Sequence, residues 1–148
     1  MLDKIKAFFQ TNIATSELGD NEHQLKLATA ALMIEMMQQD DTAHQLEEQA
    51  VRRALQSKFG LTTDETGKLF ELGYMEARNA NDYYQFTSLI NQHFSQQQKF
   101  KIIEYLWEIA YADGDLDRYE EYMVRRIAEL IYVSHSEFIR AKHLVMNR

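Results

Sequence analysis

The chain has 148 residues, 45% hydrophobic and 26% charged, a composition that fits one folded domain burying roughly 70% of its unfolded surface. A formal net charge of −7 argues against phosphate-backbone binding, which relies on clustered Lys and Arg, and the absence of cysteine excludes disulfides, thiolate metal sites and cysteine nucleophiles. With no proline and only five glycines, helix formers dominate and an all-α single-domain bundle of about seven to eight helices is expected.

No apolar run approaches the roughly 20 residues that span a bilayer, so no integral membrane segment is expected. The opening MLDKIKAFFQ has no continuous apolar core or small-residue cleavage site, so a cytoplasmic location is expected. Residues 1–20 read as an N-terminal helix and linker, and residues 21–148 as the helical domain.

In the first helix Leu2, Ile5, Phe8 and Phe9 share one face, which packs on the core or on a partner; Leu2, Phe8 and Phe9 offer a homodimer contact. After a polar break at 16–21, a second helix begins near Asn21 or Glu22. It is apolar nearly all round through Ala31, Leu32, Met33, Ile34, Met36 and Met37, so it should be central. A third helix turns either Leu46, Ala50 and Ala54 or Val51 and Leu55 inward, and stops at Gly60, suited to a left-handed cap. Thr62 or Thr63 caps a fourth helix with Asp64 and Glu65 in its first turn. Asn79 to Asp82 is a break, with Asp82 expected to cap a fifth helix carrying Tyr83, Phe86, Leu89, Ile90 and Phe94. Ser95 caps the sixth, with Phe100, Ile103, Leu106 (or Trp107) and Ala110 at helical spacing. The seventh carries Tyr119, Met123, Ile127 and Leu130, and Ser134 or Ser136 opens the last, with Phe138, Ile139 and Leu144.

The densest local chemistry lies between helices six and seven, where Asp113, Asp115, Asp117, Glu120 and Glu121 fall within a single junction. Capping accounts for Asp117, Glu120 and Glu121. It does not account for Asp113, because an acid at a helix C-terminus opposes the macrodipole by about 0.3–1 kcal/mol. Carboxylates crowded in one loop repel, and a hard divalent cation with oxygen ligands relieves that repulsion. The Asp113-x-Asp115-x-Asp117 spacing begins like an EF-hand, yet Arg118 stands where that loop needs Gly and Val124 where it needs Glu.

A shift of 73 residues superposes one half of the chain on the other. Glu47–Arg53 matches Glu120–Arg126 at five of seven positions, Glu35 falls on Glu108, and Asp40 falls on Asp113. Leu61 to Glu65 corresponds, one residue out of step, to Val133 to Glu137. Two helix–acidic junction–helix units are therefore expected to be pseudo-symmetric, with junctions that lie near each other.

These residues resemble the TerB-like (tellurite resistance protein B) family, in its stand-alone bacterial branch. The resemblance rests on Ala112-Asp113-Gly114, then Asp117 and Glu120/Glu121, then Val124, Ile127 and Leu130. It extends through Asp82 to Thr87 and Val133 to Arg140, and covers most of the chain from about Gln24. It implies a compact all-helical domain, an acidic face proposed to bind divalent cations, and an association with tellurite and stress responses. It also implies kinship with the domain preceding the J-domain of a membrane-anchored co-chaperone. Carried over by position, the acidic-motif residues are Asp113, Asp117 and Glu120, with Asp40 and Glu47 as first-half counterparts. That first-half motif departs from the family pattern at Asp41 and His44.

No catalytic constellation stands out. The five histidines are scattered without HExxH, no glycine loop suits a phosphate, and no Glu-x-x-His pair suggests a di-iron bundle. Two non-enzymatic readings follow. One is a module binding calcium, magnesium or manganese through Asp113, Asp115, Asp117, Glu120, Asp40 and Glu47. The other is a metal-independent adaptor docking a basic protein partner on Tyr119, Tyr122 and Glu121. Tyr105, Trp107 and Tyr111 point in differing directions, so an exposed aromatic beside the acidic face is expected.

Overall fold

Helix boundaries fall where short-range caps put them. Ser95 and Gln98 form a reciprocal capping box, as do Thr62 and Glu65, while Ser134 accepts from the Glu137 N–H. The computed structural model describes residues 2–13, 21–78, 84–111 and 118–148. Among them are eight α-helices and no strand: α1 (Leu2–Phe8), α2 (Asn21–Gln39), α3 (Glu48–Phe59), α4 (Thr63–Arg78), α5 (Gln85–His93), α6 (Gln96–Ala110), α7 (Arg118–Leu130) and α8 (His135–Met146). The break at 79–82, Asp82 and Tyr83 lie outside the described residues.

Helix α2 is the central element. Every residue from Leu27 to Met37 is buried, and α4, α5, α6 and α7 all pack on it. Gly73 lets α4 come close, since a Cβ there would stand 2.8 Å from Ile34 Cγ2. The two halves repeat as α2–α3–α4 and α6–α7–α8, with α2 against α4 and α6 against α8.

Of the two stripes proposed for α3, Val51, Leu55 and Phe59 are buried, whereas Leu46 and Ala54 are half-buried and Ala50 is exposed. Trp107 and Tyr105 are buried too, so the exposed aromatic expected from that group is neither of them. Phe9 is also enclosed by its own chain, its ring 5.5 Å from His93 and 6.0 Å from Phe94. That burial leaves Phe9 no surface for the dimer contact read from the sequence; α1 packs on α5, Phe8 is half-buried against the same core, and the Leu2 side chain lies outside the described residues.

The one-residue slip between the repeats has a backbone counterpart. Gly60 ends α3 with φ 66°, and Tyr132 follows α7 with φ 63°. Each is followed by a buried apolar residue, Leu61 and Val133. A Cβ at Gly60 would meet nothing within 4 Å, so only the left-handed backbone disfavours a side chain there. Gly60→Ala should lower unfolding stability by about 1 kcal/mol, measured by urea denaturation.

Candidate cation and docking face

Asp40 follows α2 and ends its helix in a turn that feeds its own carboxylate. Its Oδ1 accepts the Thr42 N–H at 2.9 Å and the Ala43 N–H at 3.3 Å, while Oδ2 accepts the Tyr122 hydroxyl at 2.7 Å. Partial burial pushes this carboxyl up. The Tyr122 hydroxyl, the two N–H groups and the Arg126 charge outweigh burial and hold it below the usual carboxylate range. The same bond raises the Tyr122 phenol. The turn at 43–45 packs on α7, so a residue of the first junction is bonded across to the second repeat.

Glu47 is the N-cap of α3, accepting the Ala50 N–H at 3.2 Å, and stands 3.8 Å from Arg53. Glu47, Tyr119 and Glu120 line one trough between α3 and α7. Tyr119 and Tyr122, both half-buried, line a second and more open hollow with Asp41, Thr42 and Gln45. Glu121 faces Lys142 of α8 at 3.7 Å rather than Arg125 one turn along its own helix, and Arg125 lies over the Tyr122 ring. The Glu48–Arg52 pair forms at 2.8 Å, reinforced by the Tyr74 hydroxyl.

Asp113, Asp115 and Asp117 lie outside the described residues. Of the six ligand candidates, Asp40, Glu47 and Glu120 are therefore the ones with a described position. Asp40 and Glu47 both serve as backbone caps. Among the described residues, no three acidic or histidine side chains converge as metal ligands.

Residue-by-residue reading missed a second carboxylate pair. Glu35 and Glu76 are each 1% exposed, on the central helix and on α4. Helix α5 begins after Tyr84, whose φ is 58° and whose side chain makes no cap. Its orphan N–H groups are capped from elsewhere in the chain. Gln85 N–H donates to Glu76 at 2.6 Å, Phe86 N–H to Glu35 at 2.7 Å, and Thr87 N–H and hydroxyl to Glu35 at 3.0 and 2.6 Å. Burial first, then the Glu76 charge and hydrogen bond, push Glu35 well above the ordinary carboxylate range; the Thr87 and Phe86 donors pull it back only partly. The two carboxyls titrate as a pair. The one available signal was Glu35 itself, an acid between Ile34 and Met36 in a helix that is otherwise apolar there.

The family model for tellurite resistance protein TerB matches residues 26–143. The chain belongs to the TerB family. Comparisons with curated proteins and with solved structures give no match. The TerB match runs from within α2 to within α8, so both acidic junctions and the Glu35–Glu76 pair lie inside it, while α1 precedes it. No helix among the described residues of this TerB chain is long and apolar enough to cross a membrane.

Proposed function

We propose that this TerB chain is a non-catalytic, cytoplasmic module that holds a divalent cation (calcium, magnesium or manganese) through the carboxylates of its acidic junctions. The observation that carries this reading is the Tyr122–Asp40 hydrogen bond. Helix α7 starts immediately after Asp117, so the bond ties the first junction to the helix that the second junction leads into. Asp40 makes that contact, and Glu47 and Glu120 line the trough between α3 and α7. Acidic side chains brought together at a site repel, and a hard cation bound by their oxygens relieves the repulsion. A role in tellurite or other stress, suggested by the family's name, belongs to the same proposal.

Calcium or manganese at about 100 times its dissociation constant should stabilise the wild type by about 2.7 kcal/mol, read as a raised Tm. The double variant Asp113→Ala/Asp117→Ala should show no shift. Equal shifts in both proteins, or none in either, remove the cation reading. Growth of a deletion strain on tellurite, complemented by the wild type but not by the double variant, tests the stress role.

A second reading is favoured by the half-buried Tyr119 and Tyr122 beside the open hollow, a surface on which a basic partner protein can seat. In that reading Tyr119→Ala abolishes partner capture while the cation shift stays intact.

A further inference from the structure

The trough shared by Glu47 and Glu120 has features that the cation reading does not use. Its volume is about 510 Å³, inside the ~300–1,000 Å³ typical of occupied clefts. The floor is apolar and comes from three helices: Met33 of α2, Val51 of α3 and Ile109 of α6. The near wall is the outward stripe of α3, Leu46, Ala50 and Ala54. Helix α3 thus carries two apolar stripes, one spent on the core and one facing this opening.

Along α3 the lining runs from Glu47 to Lys58, about three turns or roughly 16 Å. That length accommodates anchors at i, i+3 or i+4, and i+7 of a docked helix. Small side chains at 50, 54 and 57 leave room for its backbone. The charges are unevenly spread, Arg53 standing beside Glu47 on the acidic side. Glu47 and Glu120 mark the end where α3 begins, and Lys58 marks the other end, exposed and without an ion pair among the described residues. Arg53 on the rim has only its 3.8 Å contact with Glu47, both side chains being 70% exposed.

We infer that this trough docks an amphipathic α-helix of a partner protein. Its apolar stripe lies along Leu46, Ala50 and Ala54, above the buried Met33, Val51 and Ile109, with a basic residue against the Glu47 end and an acidic residue against Lys58. The bipolar charge is what selects this occupant. A ligand with an anionic head alone would meet the net negative end, where Glu47 and Glu120 face a single Arg53, and a purely basic peptide would be repelled at Lys58.

The test uses the full chain and four labelled synthetic helices, followed by fluorescence anisotropy. One has a leucine stripe with Lys at one end and Glu at the other. Two share the stripe but carry Lys at both ends or Glu at both ends, and one has serine in place of the stripe. The bipolar helix should bind at least about tenfold tighter than the other three. Ala54→Arg, and Ala50→Arg at an exposed position, should each weaken it at least about tenfold with unchanged thermal unfolding. Lys58→Glu should switch the preference to the doubly basic helix. The Ala50→Arg protein should keep the calcium shift, which separates failure of this proposal from failure of the cation reading. Equal binding of the bipolar and serine helices, no effect of both arginine variants, or a concentration-dependent dimer of the chain that Ala50→Arg abolishes would each overturn it, the last in favour of a second copy as occupant.

Discussion

Trp107→Ala should lower unfolding stability by about 3–5 kcal/mol, the range for truncating a buried aromatic. Trp107 is fully buried. Its ring lies 5.0 Å from Phe138 and 5.9 Å from Tyr111, with the Lys142 ammonium 5.4 Å from its centroid. Its indole N–H donates to the Phe138 carbonyl at 3.1 Å, so this one side chain both fills and fastens the contact between α6 and α8. Trp107→Phe keeps an aromatic ring and loses the hydrogen bond and part of the volume, so it should cost markedly less. Urea denaturation followed by circular dichroism measures both, since the variants lose the single Trp fluorophore. A loss below about 1 kcal/mol for alanine would mean that the α6–α8 contact does not depend on this residue.

Glu35→Ala should cost a comparable amount, about 3–5 kcal/mol. It strands the Phe86 and Thr87 N–H groups in the interior, each worth about 1–3 kcal/mol when unsatisfied. Glu76→Gln should be tolerated far better at neutral pH. Both Glu35 oxygens accept backbone N–H groups, so an amide NH2 at 76 can donate toward Glu35 where a second carboxylate would repel it. The pH dependence separates the two roles. A carboxyl with a raised folded pKa stabilises fully only below its unfolded value of about 4.3, because above it the unfolded chain releases a proton that the folded chain retains. That contribution is lost as pH rises from there through the folded pKa. The stability of Glu76→Gln relative to wild type should therefore grow steadily from about pH 4.5 upward. Asp40, Glu48 and Glu65 have lowered values and lose their contribution in the opposite direction, as pH falls, but they are common to both proteins and cancel in the difference. A difference that stays flat between pH 4.5 and 8 would show that the pair holds no proton of its own.

Most of the helical framework was legible because its signals are local. Gly60, the Thr62–Glu65 and Ser95–Gln98 boxes and the Ser134 cap act over three or four residues, a range within which backbone geometry follows directly from side-chain chemistry. The central position of α2 was legible for a related reason, since a helix apolar on every side has no stable place except the middle. The repeat was visible at 73 residues, and its one-residue slip reappears in the left-handed residues Gly60 and Tyr132.

Side-chain partnerships across the bundle were not legible, and the candidate face is made of them. Asp40 meets Tyr122 across 82 residues, Glu35 meets Thr87 across 52, and Glu121 prefers Lys142 to the arginine one turn away. Both apolar stripes of α3 satisfied helical periodicity equally well. The choice of Val51, Leu55 and Phe59 as the inward one depended on where α2, α4 and α6 sit, and that same choice turned Leu46, Ala50 and Ala54 toward the open trough. Composition, caps and hydrophobic period set where each helix starts and how amphipathic it is, because those forces act along the chain. Which acids end up buried, paired or facing a groove depends on contacts between residues tens of positions apart, and those exist once the helices have packed.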